Sequence, residues 1–229
     1  MQKKVVVLSL GGSLIIPDEV DADFLKKFKK IIKKNTKRYK FVIVCGGGII
    51  ARKYIKGLEK AGILEHLQGL IGIASTRINA RFMNYFFNQD SEKGIPHDVK
   101  DIKRILLKKN FVFCGALTYK IGATTDAQAA ELAISFKSPF INLTNVSGLH
   151  DKNPLKHKDA KLIPEISWKN FNKMANLIKF KPGQHFVLDQ RASGIIMKNK
   201  IKTYILGEDL KQFENVLQNK KFKGTVIEG

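Results

Sequence analysis

Short runs of consecutive apolar residues alternate along the chain with longer segments in which apolar residues recur every three or four positions. The continuous runs predict buried strands, and the longer spacing predicts helices with one face in the core. The predicted strands are 4–10, 41–45, 111–116, 139–143, 202–206 and a closing edge strand at 224–227. The predicted helices are 21–35, 49–60, 75–88, 99–109, 125–136, 168–178, 191–199 and 210–218. Because buried strands that alternate with helices are typical of a mostly parallel sheet, we predict one α/β domain over 1–229, an open sheet sandwiched between helices.

Glycine turns follow the first two predicted strands, at 11–13 and at 46–48. Glycine lets the backbone approach a ligand closely, and the start of a helix offers free amides and a positive dipole end to an anion. Arg52, one turn into the helix after the second turn, can add a charge-assisted contact. Since neighbouring parallel strands end at the same edge of a sheet, the two turns predict a phosphate site there. A plain strand-to-helix turn with a surface arginine remains the alternative.

Two polar segments follow later strands. Thr124, Thr125 and Asp126 stand at the start of a predicted helix, where a threonine caps the helix or binds a phosphate. The Asp126 carboxylate suits the helix dipole, and it can also position a lysine, a glycine-loop amide or a metal-bound water. The loop 144–154 is able to hold a nucleotide base and ribose, or it is a long surface turn. Both segments therefore keep a structural and a functional interpretation.

The order of these motifs carries a resemblance. Together they resemble archaeal-type uridylate kinases of the amino-acid-kinase superfamily, through the segments 9–13, 46–55, 72–79, 124–127, 144–148, 187–189 and 224–227. The resemblance implies the amino-acid-kinase fold, with an acceptor-binding N-terminal half and an ATP-binding C-terminal half. It also implies transfer of a phosphoryl group from ATP to UMP, with Mg²⁺ carried in by ATP, and a homo-oligomer, a hexamer built from dimers.

The same resemblance implies roles for individual residues. Arg52 and Asp126 are expected to be catalytic, and no residue is predicted to hold a metal by itself. ATP would contact Gly12, Ser13, Gly48, Arg52, Thr144, Asn145, His150 and Asn153. The acceptor nucleotide would contact Gly47, Gly69, Thr76, Arg77, Asn79, Tyr119, Lys120, Ile121, Gly122, Ala123, Thr124 and Thr125.

Three departures from the family pattern bear on the acceptor and the donor. Gly69 stands where the family carries an aspartate that binds the acceptor ribose, and 119–123 replaces a Thr-His-Pro-Gly-His loop. The donor loop has Ser147, His150 and Asn153 where Asp, Tyr and Asp are usual. These changes leave open a kinase of the same fold with another small phosphorylated acceptor, or a nucleotide-binding protein without turnover.

Composition limits the remaining classes of protein. The 41 Lys and Arg residues against 20 Asp and Glu give a net charge of +21, which attracts polyphosphate substrates. The basic residues are spread along the whole chain, so we predict no stable nucleic-acid complex, although a basic nucleic-acid-binding module remains an alternative.

No run reaches the roughly 20 apolar residues of a membrane span, so we predict a cytoplasmic protein. Cys45 and Cys114 each end an apolar run and are predicted to be buried thiols.

Overall fold

The computed structural model describes residues 3–89, 94–118, 124–154, 156–177 and 187–229. Its strands are β1 (Lys4–Leu10), β2 (Tyr39–Cys45), β3 (Phe111–Cys114), β4 (Phe140–Leu143), β5 (Glu165–Ile166), β6 (Thr203–Leu206) and β7 (Thr225–Ile227). Its helices are α1 (Gly12–Ile15), α2 (Ala22–Asn35), α3 (Gly48–Lys60), α4 (Glu65–Phe86), α5 (Val99–Lys108), α6 (Thr125–Ser135), α7 (Trp168–Leu177), α8 (Gln190–Asn199) and α9 (Leu210–Leu217).

All seven strands form one sheet in the order β3-β2-β1-β4-β6-β7-β5. Every neighbouring pair is parallel except β6 and β7, which run antiparallel. The predicted open, mostly parallel sheet is therefore confirmed. The prediction that β7 closes the sheet as its edge strand is wrong, because β5 pairs with its outer side. β5 has only two residues, which is too short to leave a hydrophobic pattern in the sequence.

Helices cover both faces of the sheet, and each face has its own apolar core. Successive side chains of a strand point to opposite faces, so Leu8 and Leu10 of β1 pack in one core while Val7 packs in the other. Helices α2, α4 and α9 contribute to the first core, and α5, α6, α7 and α8 contribute to the second. Cys45 and Cys114 are fully buried in different cores, as predicted for structural thiols.

Helix α4 is longer than its pattern predicted. The sequence favoured 75–88, whereas the helix begins ten residues earlier, at Glu65. Gly69 and Gly72 lower helix propensity in this stretch, and Leu67 and Leu70 are exposed, so the usual apolar face toward the core is missing. This stretch packs against α3, where a Cβ atom on Gly72 would lie 3.4 Å from the side chain of Ile55. Among the helices of the described ranges, none is both long enough and apolar enough to cross a membrane.

Candidate active site

The two glycine turns touch each other at the carboxyl ends of β1 and β2. The amide of Gly46 donates to the carbonyl of Leu10 at 2.9 Å. A Cβ atom built on Gly12 would lie 2.1 Å from the amide nitrogen of Gly48, so this close approach of the backbones requires glycine. Gly48 also has a φ of +60°, a region that disfavours side chains. The structure thus brings together the two turns that the sequence placed at one edge of the sheet.

Helix α3 begins at Gly48, so its N-terminal amides lie against the turn after β1. The positive end of this helix favours an anion at the junction of the two turns. Arg52 lies one turn into α3 and is exposed to solvent. Ser13 is the last residue of the first turn, lies within α1 and is half-buried. These groups supply backbone donors and one guanidinium at the predicted phosphate site.

A carboxylate lies beneath the first turn. Ser9, two residues before Gly11, donates from its hydroxyl to Asp126 Oδ1 at 2.7 Å. Asp126 is half-buried in the first turn of α6. The pKa of Asp126 is raised to about 7, mainly because burial removes the carboxylate from water and also because of the nearby charge of Asp189, while the bond from Ser9 opposes both effects. Sequence reasoning assigned no role to Ser9 or Asp189, although both lie in segments that carry the resemblance.

Thr124 and Asp189 join the starts of α6 and α8. The Thr124 hydroxyl caps α6 by accepting from the amide of Ala127 at 3.1 Å, and it donates to the carboxylate of Asp189. Asp189 caps α8 by accepting from the amides of Arg191 and Ala192 at 2.8 and 3.0 Å. The structural interpretation of Thr124 as a helix cap is therefore confirmed. A contact of Thr124 with the acceptor stays a prediction.

Three α4 residues expected near the acceptor hold backbone segments at the edge of the site. Asn79 donates from Nδ2 to the carbonyl of Gly46 at 2.7 Å, while Thr76 and Arg77 bind the backbone that follows β3. A Cβ atom on Gly47 would lie 3.5 Å from the Thr76 methyl group, so Gly47 and Thr76 are neighbours. Gly69 lies on α4 seven residues before Thr76 and is partly exposed.

The loop expected to hold the ATP base and ribose begins beside the first glycine turn. The amide of Gly11 donates to the carbonyl of Leu143, the last residue of β4, at 2.9 Å. Thr144 follows, and its amide donates to the carbonyl of Leu206 at 2.9 Å. The Thr144 hydroxyl donates to Oδ1 of Asn145 at 3.4 Å. His150 lies further along the loop, with Nδ1 3.0 Å from the carbonyl of Gly148.

The last of the predicted ATP contacts, Asn153, lies near the end of the loop. Asn153 accepts the amides of Lys156 and His157 through its carbonyl, so its backbone forms a turn at the far end of the loop. The predicted acceptor contacts at 119–123 lie outside the described residues. Contacts of the described residues with either nucleotide stay predictions.

The assembled groups favour chemistry by positioning and charge neutralisation. The site offers backbone amides, a helix start and Arg52 on one side, and the Asp126 carboxylate beneath them. Within the described ranges, no three His, Cys, Asp or Glu side chains come together as metal ligands would. Transfer of a phosphoryl group needs in-line placement of donor and acceptor and stabilisation of negative charge, which amides and a guanidinium provide. Fold and site together define a phosphotransferase of the α/β class.

Comparison with known proteins identifies the family. The chain belongs to the amino acid kinase family, whose model matches residues 4–207. It is 34% identical to the uridylate kinase of Thermoplasma volcanium over 224 residues, covering 97% of each chain. It is also 34% identical to the uridylate kinase of Thermococcus kodakarensis over 229 aligned positions, covering 97% of this chain and 99% of the relative.

Solved structures agree with this assignment. The uridylate kinase of Archaeoglobus fulgidus superposes with a TM-score of 0.82 at 32% identity, over 98% of this chain and 99% of the other. The UMP kinase of Ureaplasma parvum superposes with a TM-score of 0.80 over the whole of both chains, at 20% identity. The second likeness concerns the fold alone.

Proposed function

We propose that this protein is a nucleoside monophosphate kinase that converts ATP and UMP to ADP and UDP. The observation that carries the proposal is its near-full-length similarity to archaeal uridylate kinases at 34% identity. The paired glycine turns beside Arg52 agree with it, because they supply the donors that a polyphosphate requires. The proposal concerns the chain as a whole, because the alignment to the first of these relatives covers 97% of each protein.

In the proposed reaction, an oxygen of the UMP phosphate attacks the γ-phosphorus of ATP. The bond from the γ-phosphorus to the β,γ-bridging oxygen breaks, and ADP leaves with that electron pair. The attacking oxygen is already anionic at neutral pH, so no general base is needed. The amides of both glycine turns and Arg52 stabilise the charge on the transferred group, and Asp126 orients this array through Ser9.

Mg²⁺ enters the reaction as part of the substrate, MgATP. Asp126 and Asp189 are the two carboxylates at the starts of α6 and α8, and both already accept hydrogen bonds from protein groups. Such a pair leaves the ATP phosphates as the main ligands of the ion. We expect the enzyme to act in the cytoplasm.

A coupled assay of ADP release tests the proposed activity. Purified protein is supplied with MgATP and, in separate reactions, with UMP, CMP, AMP, GMP or a non-nucleotide phosphate, and the variant Asp126→Ala serves as the control. Selective turnover of UMP that the variant loses is the expected result. Turnover of another phosphate in preference to UMP would replace UMP as the acceptor, and ATP binding without turnover of any acceptor would contradict the kinase assignment.

We also propose that two copies of the chain associate through the outer face of α4. This face carries Leu70, Ile78 and Tyr85, which are 45%, 55% and 55% exposed. Their spacing places them along one side of the helix, where they border a groove of about 590 Å³. A row of large exposed apolar side chains marks an interaction surface.

A second copy is the occupant that this face fits. The row from residue 70 to residue 85 is about 24 Å long at a rise of about 1.5 Å per residue. Two such helices packed antiparallel about a twofold axis bury the same residues from both copies, as symmetric dimers do. We therefore expect the chain to form a dimer through α4. The family resemblance further implies that such dimers assemble into a hexamer.

Sedimentation of the wild type and of Ile78→Glu tests the association. The variant is expected to sediment as a smaller species, because a charge replaces an apolar side chain in the interface. Leu107→Glu is the matched control, since Leu107 is 82% exposed on α5 and lies outside the row. A monomeric wild type, or equal behaviour of Ile78→Glu and the wild type, would contradict the proposal.

A further inference from the structure

The chain leaves β3 through a short segment, residues 115–118, that lies between α4 and α6. A Cβ atom on Gly115 would lie 2.6 Å from the Thr76 hydroxyl oxygen and 2.7 Å from the amide nitrogen of Arg77, so the segment is pressed against α4. β3 itself ends at Cys114, and its ladder with β2 stops there. Backbone groups placed in such a position need partners other than a neighbouring strand.

Helix α4 supplies partners on one side. The Thr76 hydroxyl accepts from the amide of Ala116 at 2.9 Å. Arg77 donates from Nε to the carbonyl of Ala116 at 3.1 Å and from Nη2 to the carbonyl of Leu117 at 2.8 Å. Two adjacent side chains of α4 therefore bind both polar groups of Ala116 and one of Leu117.

Helix α6 supplies the partners on the other side, through the single side chain of Gln128. Its Oε1 accepts from the amide of Leu117 at 2.5 Å, and its Nε2 donates to the carbonyl of Thr118 at 2.8 Å. Gln128 is 4% exposed, so its side-chain amide lies inside the fold, while the backbone that it binds lies at the surface. The side-chain amide of Gln128 thus accepts one hydrogen bond and donates another, to the backbones of two consecutive residues. An apolar side chain of the same size could make neither bond.

We propose that Gln128 is a positioning residue for the acceptor nucleotide. It stands one turn into α6, whose start carries Thr124 and Thr125, and it fixes that start against residues 117 and 118. The side chain of Gln128 thereby sets the distance between the segment that follows β3 and the start of α6. This inference rests on the proposed function, because it assumes that the acceptor phosphate binds between that segment and the start of α6.

The two hydrogen bonds of Gln128 should not affect the ATP site. The glycine turns after β1 and β2 are held by backbone bonds and by Asn79, and Gln128 bonds to neither turn within the described ranges. The link from α6 to the first turn is the bond between Ser9 and Asp126, which does not involve the Gln128 side chain. A change at Gln128 should therefore act on the acceptor and spare ATP. This difference separates a positioning role from a general structural one.

The test compares Gln128→Met with Leu132→Val. Methionine keeps the volume of glutamine and removes both bonds, which leaves the Leu117 amide and the Thr118 carbonyl unpaired. Leu132 is 1% exposed one turn further along the same helix, so its variant lowers stability without removing a hydrogen bond to residues 117 and 118. Thermal unfolding of both variants shows whether the two are destabilised to a similar extent.

We expect Gln128→Met to raise the KM for UMP about tenfold or more, with the KM for ATP and kcat within about threefold of the wild type. Leu132→Val should leave both KM values within about twofold. Amide exchange at Leu117 should accelerate in Gln128→Met alone. A UMP KM equal in the two variants, or an equal rise of both KM values in Gln128→Met, would overturn the inference.

Dissociation constants for UMP, measured by calorimetry, separate this inference from the proposed function. Failure of the wild type to phosphorylate UMP that it binds would refute the proposed function, and the UMP affinities of the two variants would still test Gln128. A wild type that phosphorylates UMP while Gln128→Met binds UMP as tightly as Leu132→Val would refute the inference alone.

Discussion

Ser9 and Asp126 lie 117 positions apart in the sequence and share a hydrogen bond of 2.7 Å. Ser9 belongs to β1 just before the first glycine turn, and Asp126 belongs to the first turn of α6. The bond therefore connects the strand before the expected ATP phosphate site with the helix whose start is expected to meet the acceptor. Any change in the charge of Asp126 acts at this connection.

Asp126 should make the stability of the protein depend on pH between about 4 and 7. Its pKa is about 7 in the folded chain and about 3.8 when unperturbed, so the folded state binds more protons in this interval. The contribution of Asp126 to the free energy of unfolding is therefore greatest below about pH 4. It falls as the pH rises and is constant above about 7. The total loss is at most about 4 kcal/mol, and solvent at the half-buried carboxylate reduces it.

Urea unfolding of the wild type and of Asp126→Asn, from pH 4 to pH 8, measures this effect. The asparagine cannot titrate and can still accept from Ser9, so the difference in free energy of unfolding should shift in favour of the variant as the pH rises. A difference that stays constant across the range would show that Asp126 has an ordinary pKa.

Removal of the Ser9 hydroxyl should raise the pKa of Asp126 further, because the bond from Ser9 lowers it. We expect the acid limb of the pH profile of kcat/KM to move to higher pH in Ser9→Ala, with activity at pH 6 reduced about tenfold. Ser135→Ala is the control, since that hydroxyl bonds to the carbonyl of Glu131 at the far end of α6. An unshifted profile in Ser9→Ala would separate Asp126 ionisation from activity.

Gly12→Ala should damage the ATP site, whereas Gly57→Ala should not. A methyl group at Gly12 would lie 2.1 Å from the backbone of Gly48, so the two turns must separate. Gly57 lies inside α3 with nothing within 4 Å of its built Cβ atom, so alanine there should stabilise the protein by about 0.5 to 1 kcal/mol. Nucleotide titration and thermal unfolding check both variants. ATP affinity of Gly12→Ala within about twofold of the wild type would contradict contact between the turns.

Arg52→Ala should lower kcat by about 10²- to 10³-fold, the loss typical of a donor that stabilises charge in the transition state. Lys53→Ala removes a positive charge from the next position of α3, which is also exposed, and should change kcat less than about threefold. Steady-state rates of the two variants at saturating ATP and UMP decide the matter. Equal losses in both would indicate that general positive charge, and not the guanidinium, supports transfer.

The local patterns determined most of the elements and much of the site. The apolar run of β1 and the helical period of α2 were predicted to within one residue of their observed bounds. The glycine turns at 11–13 and 46–48 also followed from order alone, because parallel strands that are neighbours end at the same edge. Such features depend on consecutive residues and on the direction of the chain.

Other features depended on packing between distant segments. Edge strand β5 has two residues and exists only because β7 offers it an open side. The first half of α4 is helical although Leu67 and Leu70 are exposed, and it packs on α3 near Gly72. No periodicity in the sequence reports either fact.

The sequence by itself thus determined the α/β class, the strands with long apolar runs, and the two glycine turns at the expected phosphate site. Only the tertiary structure decided that Ser9 meets Asp126, that Asp189 meets Thr124, and that Gln128 holds residues 117 and 118. The physical reason is the range of the interactions. Strand and helix patterns arise from neighbouring positions, whereas a polar side chain selects its partner from whatever the packed layers of the fold bring within about 3 Å.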